Sequence, residues 1–294
     1  MAPGPDIYIG TSGWSYPKGE GTWNGFFYPG GKVNELEYYA HFFNTVEVNS
    51  SFYRPPDAGI VYGWSKRTPK DFLFTMKLWQ KFTHPKMFEQ ATGQEALIAQ
   101  TDVDVFRKCL EPLANAGKLG ALLAQFPPSF KKDGKSINIL RGIANAFGEY
   151  RVAVELRDRS WSDDKETKAF LRENRMAWVE IDEPKFSSSI AGQVPVTAEF
   201  AYFRYHGRNA ANWWKGDGEQ RYRYHYNEAE IGELAERIKN AASQVRLLFA
   251  FFNNHWQAYA PRNANDLKKA LGLPTIQIPM PLELGEQNDN VSPG

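Results

Sequence analysis

A single cysteine, Cys109, occurs in a chain of 294 residues. An intramolecular disulfide is therefore excluded, and so is any paired-cysteine zinc site. Cys109 lies in the helix-period run VDVFRKCLEPL, the setting of a buried, inert thiol rather than of a nucleophile. Histidines number five, and none stands at His-x-x-x-His spacing from another. Excess charge is missing as well: 35 Lys and Arg against 34 Asp and Glu leave a net charge of +1. No global field draws such a chain to nucleic acid or to a membrane, so anion recognition has to be local. Apolar runs all fall short of the roughly 18 residues of a membrane span. The opening MAPGPDIYIG lacks a basic stretch leading into an apolar one, so no secretion signal is expected. These absences predict a soluble protein of a reducing cytoplasm, without membrane partners.

What the chain does have is core-forming material, with 42% hydrophobic and 15% aromatic residues. Apolar or alternating runs recur eight times: residues 7–14, 45–53, 71–79, 119–128, 151–158, 176–182, 201–208 and 245–254. Helix-period stretches lie between most of them, and only the crossover EPKFSSSIAGQVPVTAE after the sixth reads without a helix. Alternating strand and helix implies parallel strands with helical crossovers. Eight such units predict an α/β fold, a single (β/α)8 barrel over residues 1–283, followed by a polar tail over 284–294.

In a barrel one face of each strand packs on helices and the other faces the axis. The fifth run, RVAVELRD, then sends Val152, Val154 and Leu156 outward, and Glu155 and Arg157 inward. The same division puts Glu47 and Asn49 inward from the second run, Thr75 and Lys77 from the third, and Gln125 from the fourth. Glu180 and Asp182 follow from the sixth, with Val179 and Ile181 outward, then Arg204 and His206 from the seventh. The eighth ends in Asn253 and Asn254. These polar groups gather at the C-terminal end, where barrel enzymes keep their sites. A salt-bridge layer that merely closes the barrel is the structural alternative, although an apolar layer is usually at least as stable.

Motifs spread from Ile7 to about Leu271 carry a family resemblance: IYIGTSGWSYPKGEGTWNGFFYP, LEYYAHFFNTVEVNSSFYRPP, KLGALLAQFPPSF, VAVELRDRSW, YFRYHGR and FAFFNNHWQAYAPRNA. With them the chain resembles the domain of unknown function 72 family, the YecE-like proteins. The resemblance implies a TIM-type barrel and names no activity. Among the positions it singles out are Ser12, Gly13, Trp14, Tyr16, Tyr53 and Gly207, beside the inward residues already named. His255 stands where the family pattern usually has an acid after the two asparagines.

Three chemistries fit these residues. Lys77, Arg157, Arg204 and Arg208 around one mouth suit an anionic ligand, since guanidinium forks match phosphate or carboxylate oxygens. The following loop interleaves Trp213, Trp214, Tyr222, Tyr224 and Tyr226 with Lys215, Arg221 and Arg223, a pattern suited to stacked bases beside phosphates, to a sugar on a ring face, or simply to capping the mouth. Glu47, Glu155, Asp182 and His206 form a donor set for one hard divalent ion, Mg2+ or Mn2+, unless the basic neighbours neutralise them instead. The same four are the candidate catalytic residues, with Asp182 orienting the His206 ring for proton transfer. Trp14, Asn49, Lys77, Gln125, Arg157, Arg204, Arg208, Trp213 and Asn254 are the candidate binding residues. Three functions remain open: a hydrolase or lyase acting on a phosphorylated or other anionic substrate, a nucleic-acid phosphodiester among them; a carbohydrate-active enzyme using Glu47 and Glu155; and a non-catalytic binder of a nucleotide or short nucleic acid.

Overall fold

The computed structural model describes residues 4–29, 32–213 and 218–279; Trp214, Lys215 and the expected tail 284–294 lie outside them. Nine strands are present among the described residues: β1 (Asp6–Thr11), β2 (Thr45–Val48), β3 (Leu73–Lys77), β4 (Leu119–Gln125), β5 (Val152–Glu155), β6 (Met176–Trp178), β7 (Glu180–Asp182), β8 (Phe200–Tyr205) and β9 (Leu247–Phe252). They form two sheets, ordered β2-β3-β4-β5-β6 and β1-β9-β8-β7. Every strand pairing is parallel. The fold is thus α/β, as the alternation of elements requires.

Nine strands replace the expected eight because the sixth run is shared between the sheets. β6 pairs with β5, and β7 pairs with β8. Between them the Val179 N–H donates to Val154 O. The Thr197 hydroxyl occupies the other edge of β6, accepting from Trp178 N at 2.8 Å and donating to Met176 O at 2.7 Å. That side chain belongs to the helix-free crossover after the sixth run, so the crossover itself supplies bonds that a neighbouring strand would otherwise make. At the other junction a parallel bridge joins Ser12 to Glu47.

Helices connect the strands where the periodicity puts them, at Glu35–Phe42, Ala58–Lys66, Gln100–Asn115, Gly134–Phe147, Thr167–Glu173, Glu228–Ala242 and Tyr259–Ala270. Their starts are chemically marked. Asn34, Asp57 and Asp133 each accept a backbone N–H of the first turn. Asn227 and Glu230 form a reciprocal capping box. No helix among the described residues is long and apolar enough to cross a membrane.

The apolar interior has two layers. Val46, Val48, Phe74, Met76, Val152 and Val154 pack between sheet and helices. On the other face Ala121, Leu123, Ala153, Tyr202, Phe249 and Phe251 pack with one another, together with Ala177, Val179 and Ile181. The last three correct the reading of the sixth run. Its period of two holds but its phase is reversed, so Glu180 and Asp182 face outward. The reason is electrostatic: the outer side holds partners for them. Asp182 accepts from Arg208 Nε at 2.9 Å, Arg208 Nη2 at 3.0 Å, Tyr226 Oη at 2.9 Å and Arg237 Nη1 at 3.3 Å.

Candidate functional site at the strand ends

Arg204, on β8, is the centre of the inner charge network. Its Nε and Nη2 donate to the two oxygens of Glu47, at 3.0 and 2.7 Å, and its Nη1 donates to Glu155 Oε2 at 2.5 Å. All three side chains are buried. The Tyr202 hydroxyl adds a bond to Glu47 Oε2 at 2.7 Å. The other Glu155 oxygen accepts from Arg157 Nε at 2.6 Å, and Arg157 Nη1 lies 3.3 Å from Glu183 Oε2. Residues of β2, β5, β7 and β8 and of the segments just after them are thereby tied through two guanidiniums. Ions so far from water hold together only when paired and hydrogen-bonded. Glu47, Glu155 and Arg204 are both, whereas Glu183 Oε2 is paired with Arg157 but has no hydrogen bond among the described residues.

Pairing fixes the protonation states. Burial works to raise the Glu155 carboxyl, but the guanidiniums of Arg157 and Arg204 overcome it and hold the group well below the usual carboxylate range. Glu183, more weakly paired, is pushed up by burial. His206 is lowered to about 4 by burial and by Arg204. Its Nε2 faces Arg157 Nη2 at 3.1 Å and its Nδ1 faces the Asn253 amide at 3.0 Å. The ring is a neutral imidazole at ordinary pH, oriented by Asn253 rather than by Asp182.

Above this network lies a cavity of about 450 Å³. Trp14, Tyr16, Phe52, Tyr53 and Tyr222 give it aromatic walls, and Lys77, Gln125, Arg157, Arg204 and His206 are among its polar lining. Lys77 differs from the other cations. No carboxylate lies within ion-pair distance of it among the described residues, and its Nζ sits 4.0 Å from the centre of the Phe52 ring. Burial, and then the charge of Arg204, lower its pKa to about 7, against the opposing pull of Glu155 and Glu47. His255 stacks on Tyr16 at 4.6 Å, and burial lowers it to about 4.

The expected constellation is therefore assembled in part. Glu47, Glu155, Arg157, Arg204 and His206 form the network, and Trp14, Asn49, Lys77 and Gln125 line the cavity. Asp182, Arg208 and Asn254 do not belong to it. After His206 the chain turns at Gly207, whose φ is +88° and where a Cβ would stand 2.6 Å from Tyr224 Cβ. That turn ends the alternation and carries Arg208 outward, where it pairs with Asp182, Glu230 and Glu233. Asn254 bonds Tyr224 O and Asn263 Oδ1, so Asn253 is the asparagine facing the cavity. Trp213 is buried edge-on behind the His206 ring, 6.4 Å away, instead of lining the cavity. Glu183 is the residue that alternation missed. Continuing Ala177, Val179 and Ile181 by two reaches it, once those small and branched residues are matched to Ala121, Leu123 and Ala153 opposite.

Two expected chemistries change accordingly. Glu47 and Glu155 grip one guanidinium, and neither lines the cavity, which is not the layout of an acid and a base flanking a glycosidic bond. The metal donor set is dispersed by the outward turn of Asp182, and no cluster of three or more His, Cys, Asp or Glu side chains among the described residues is arranged to hold a metal ion.

Comparison with known proteins places the chain. The model of the family described as "Protein of unknown function DUF72" matches residues 8–285, so the chain belongs to that family. The UPF0759 protein YunF of Bacillus subtilis (strain 168) is 29% identical over 282 residues, covering 91% of this chain and 95% of that protein. The crystal structure of a DUF72 family protein of Thermotoga maritima MSB8 has a TM-score of 0.79 at 35% identity, over 91% of this chain and 99% of that one. One from Enterococcus faecalis V583 has a TM-score of 0.80 at 28% identity, over 93% and 98%.

Proposed function

Proceeding from that membership, we propose that this DUF72 chain is a hydrolase or lyase acting on a small phosphorylated or otherwise anionic substrate, and that its two sheets form a closed (β/α)8 barrel with the active site at the C-terminal mouth. One observation carries the reading: Lys77 is the cation lining the cavity without a carboxylate partner among the described residues. Arg204 is saturated by two carboxylates, so it shapes the field rather than gripping a ligand. An incoming anion meets the Lys77 ammonium and the cavity edge of Arg157, whose side chain retains 12% exposure. Lys77 is also the group that moves a proton. Glu155 is held ionised and His206 neutral, whereas a lysine titrating at about 7 is about half protonated near neutral pH.

A small anion is favoured over a stacked oligonucleotide. In the loop after β8, Trp213 and Tyr226 are buried and Arg223 lies over Trp256 at 4.8 Å. Only Tyr222 of that loop faces the cavity among the described residues. The test is calorimetry of inorganic phosphate, a sugar phosphate and a short oligonucleotide, run at pH 8 in two buffers of different ionisation enthalpy. Binding of phosphate or sugar phosphate with proton uptake, lost in Lys77→Met, is the expected result. Undiminished binding to Lys77→Met, or no binding of any of the three to the wild type, overturns it. Binding confined to the oligonucleotide favours the nucleic-acid reading instead.

A further inference from the structure

A lysine that lacks an anionic partner, sits beside fixed positive charge and faces a cavity is placed to act through its lone pair. Lys77 ends β3, and its amine touches a ring face rather than an acceptor. The groups acting on it come from several elements: Arg204 from β8, Glu155 and Arg157 from β5 and its end, and Glu47 from β2. His84, from the segment beyond β3, is itself lowered by Lys77 after burial. The arginines disfavour the ammonium, while the fields of Glu155 and Glu47 favour positive charge there and the Phe52 ring is in contact to receive a cation formed later at the same nitrogen. Two residues of the cavity lining also carry buried polar atoms that lack a partner among the described residues. Ser12 Oγ and Asn49 Oδ1 are buried without a hydrogen-bond partner, and both residues line the same space. Such groups are costly unless a ligand or solvent satisfies them.

Resting on the reading of the mouth as an active site, we propose that Lys77 is a covalent nucleophile that forms an imine with a small hydroxylated aldehyde or ketone. The neutral Nζ donates its lone pair to the carbonyl carbon. A C–N bond forms as the C–O π pair moves to oxygen, and transfer of a proton from nitrogen to oxygen gives the carbinolamine. Protonation of the hydroxyl then releases water, the C–O bond breaks, and the nitrogen lone pair closes the C=N bond of an iminium ion. The sum is amine, carbonyl compound and one proton going to iminium and water, so no oxidant or reductant is required. Ser12 and Asn49 receive hydroxyl groups of the substrate, and the aromatic walls receive its C–H faces. The iminium places positive charge on the substrate, which is the electron sink a lyase needs next to the bond it breaks.

The experiment is reductive trapping. The protein is incubated with glyceraldehyde 3-phosphate, or with unphosphorylated glyceraldehyde, then treated with borohydride and mapped by peptide mass spectrometry. At pH 7 about half of Lys77 is free amine, against roughly one part in two thousand for an ordinary lysine. The expected result is a single adduct on the peptide carrying Lys77, with the mass of the probe less one oxygen, in large excess over any other lysine. Labelling should rise steeply as pH passes 7 and vanish in Lys77→Arg, with folding of the variant checked by circular dichroism. If that variant does not fold, the adduct map of the wild type decides by itself. Labelling spread over surface lysines, or no labelling between pH 6 and 9, overturns the proposal. Trapping of both aldehydes without phosphate binding sinks the anion reading and leaves the imine standing; phosphate binding without trapping does the reverse.

Discussion

Two networks of arginine and carboxylate lie on opposite faces of the sheet at the ends of β7 and β8. The inner one joins Glu47, Glu155 and Glu183 to Arg157 and Arg204. The outer one joins Glu180, Asp182, Glu230 and Glu233 to Arg208 and Arg237. In sequence they look alike, as charged residues alternating with apolar ones. They differ in what surrounds them. The outer network lies between β7 and the helix Glu228–Ala242, with Arg208, Arg237 and Glu233 partly exposed, and its arginines are matched by four carboxylates. The inner network opens on a cavity and leaves one cation, Lys77, outside its pairing. A cluster of charge therefore does not define a site. The group that the cluster leaves uncommitted does.

The largest expected effect comes from breaking the inner network. Glu155→Ala leaves two guanidiniums short of a buried partner, and the cost is about 3–5 kcal/mol in denaturant unfolding. An unchanged midpoint would mean that the guanidiniums find other compensation and that the network does not hold the strands. The next effect is a pH dependence specific to the uncommitted cation. The folded pKa of Lys77 is about 7, below that of an unfolded lysine, so between these values the unfolded chain binds more protons. Stability from this group must then rise with pH above 7. Lys77→Met should remove that slope and exceed the wild type by about 2–4 kcal/mol at pH 6, the difference fading toward pH 10. Parallel stability curves would place the Lys77 amine in water. Asp182→Asn tests the outer network. Its arginine partners are partly exposed and share other acids, so the loss should be about 1–2 kcal/mol, with phosphate binding unchanged.

How far the sequence could be read follows from the same difference in surroundings. Helices and strands followed from periodicity because burial on one side is a local requirement that each segment meets by itself. The inward set of β2, β5 and β8 followed for the same reason: Val46, Val152 and Phe203 are unambiguous outward markers. Alternation failed where both faces of a strand are partly charged, as between Glu180 and Glu183, since its phase then depends on arginines from distant helices. It also failed beyond the strand, where the left-handed turn at Gly207 redirects Arg208. The depressed Lys77 could not be read at all, because it depends on distances to Arg204 and Glu155 that no spacing encodes.

The smallest expected effect separates the two networks at their rims. Glu183 and Glu233 each complete an arginine's shell, at 3.3 and 3.1 Å. Glu183 is buried, and burial raises its pKa, whereas the Glu233 side chain is 57% exposed. A carboxyl whose folded pKa lies above its unfolded value costs stability as pH rises through that interval, because the unfolded chain ionises first. Glu183→Gln mimics the protonated form, so it should match the wild type near pH 4 and exceed it at pH 8, by about 1 kcal/mol or less. Glu233→Gln trades one screened surface contact for water and should stay within about 0.5 kcal/mol at either pH. If Glu183→Gln instead loses stability at pH 8 and not at pH 4, Glu183 is a full ionic partner of Arg157. The inner network would then be as completely paired as the outer one, and less of Arg157 would be left to meet an anion beside Lys77.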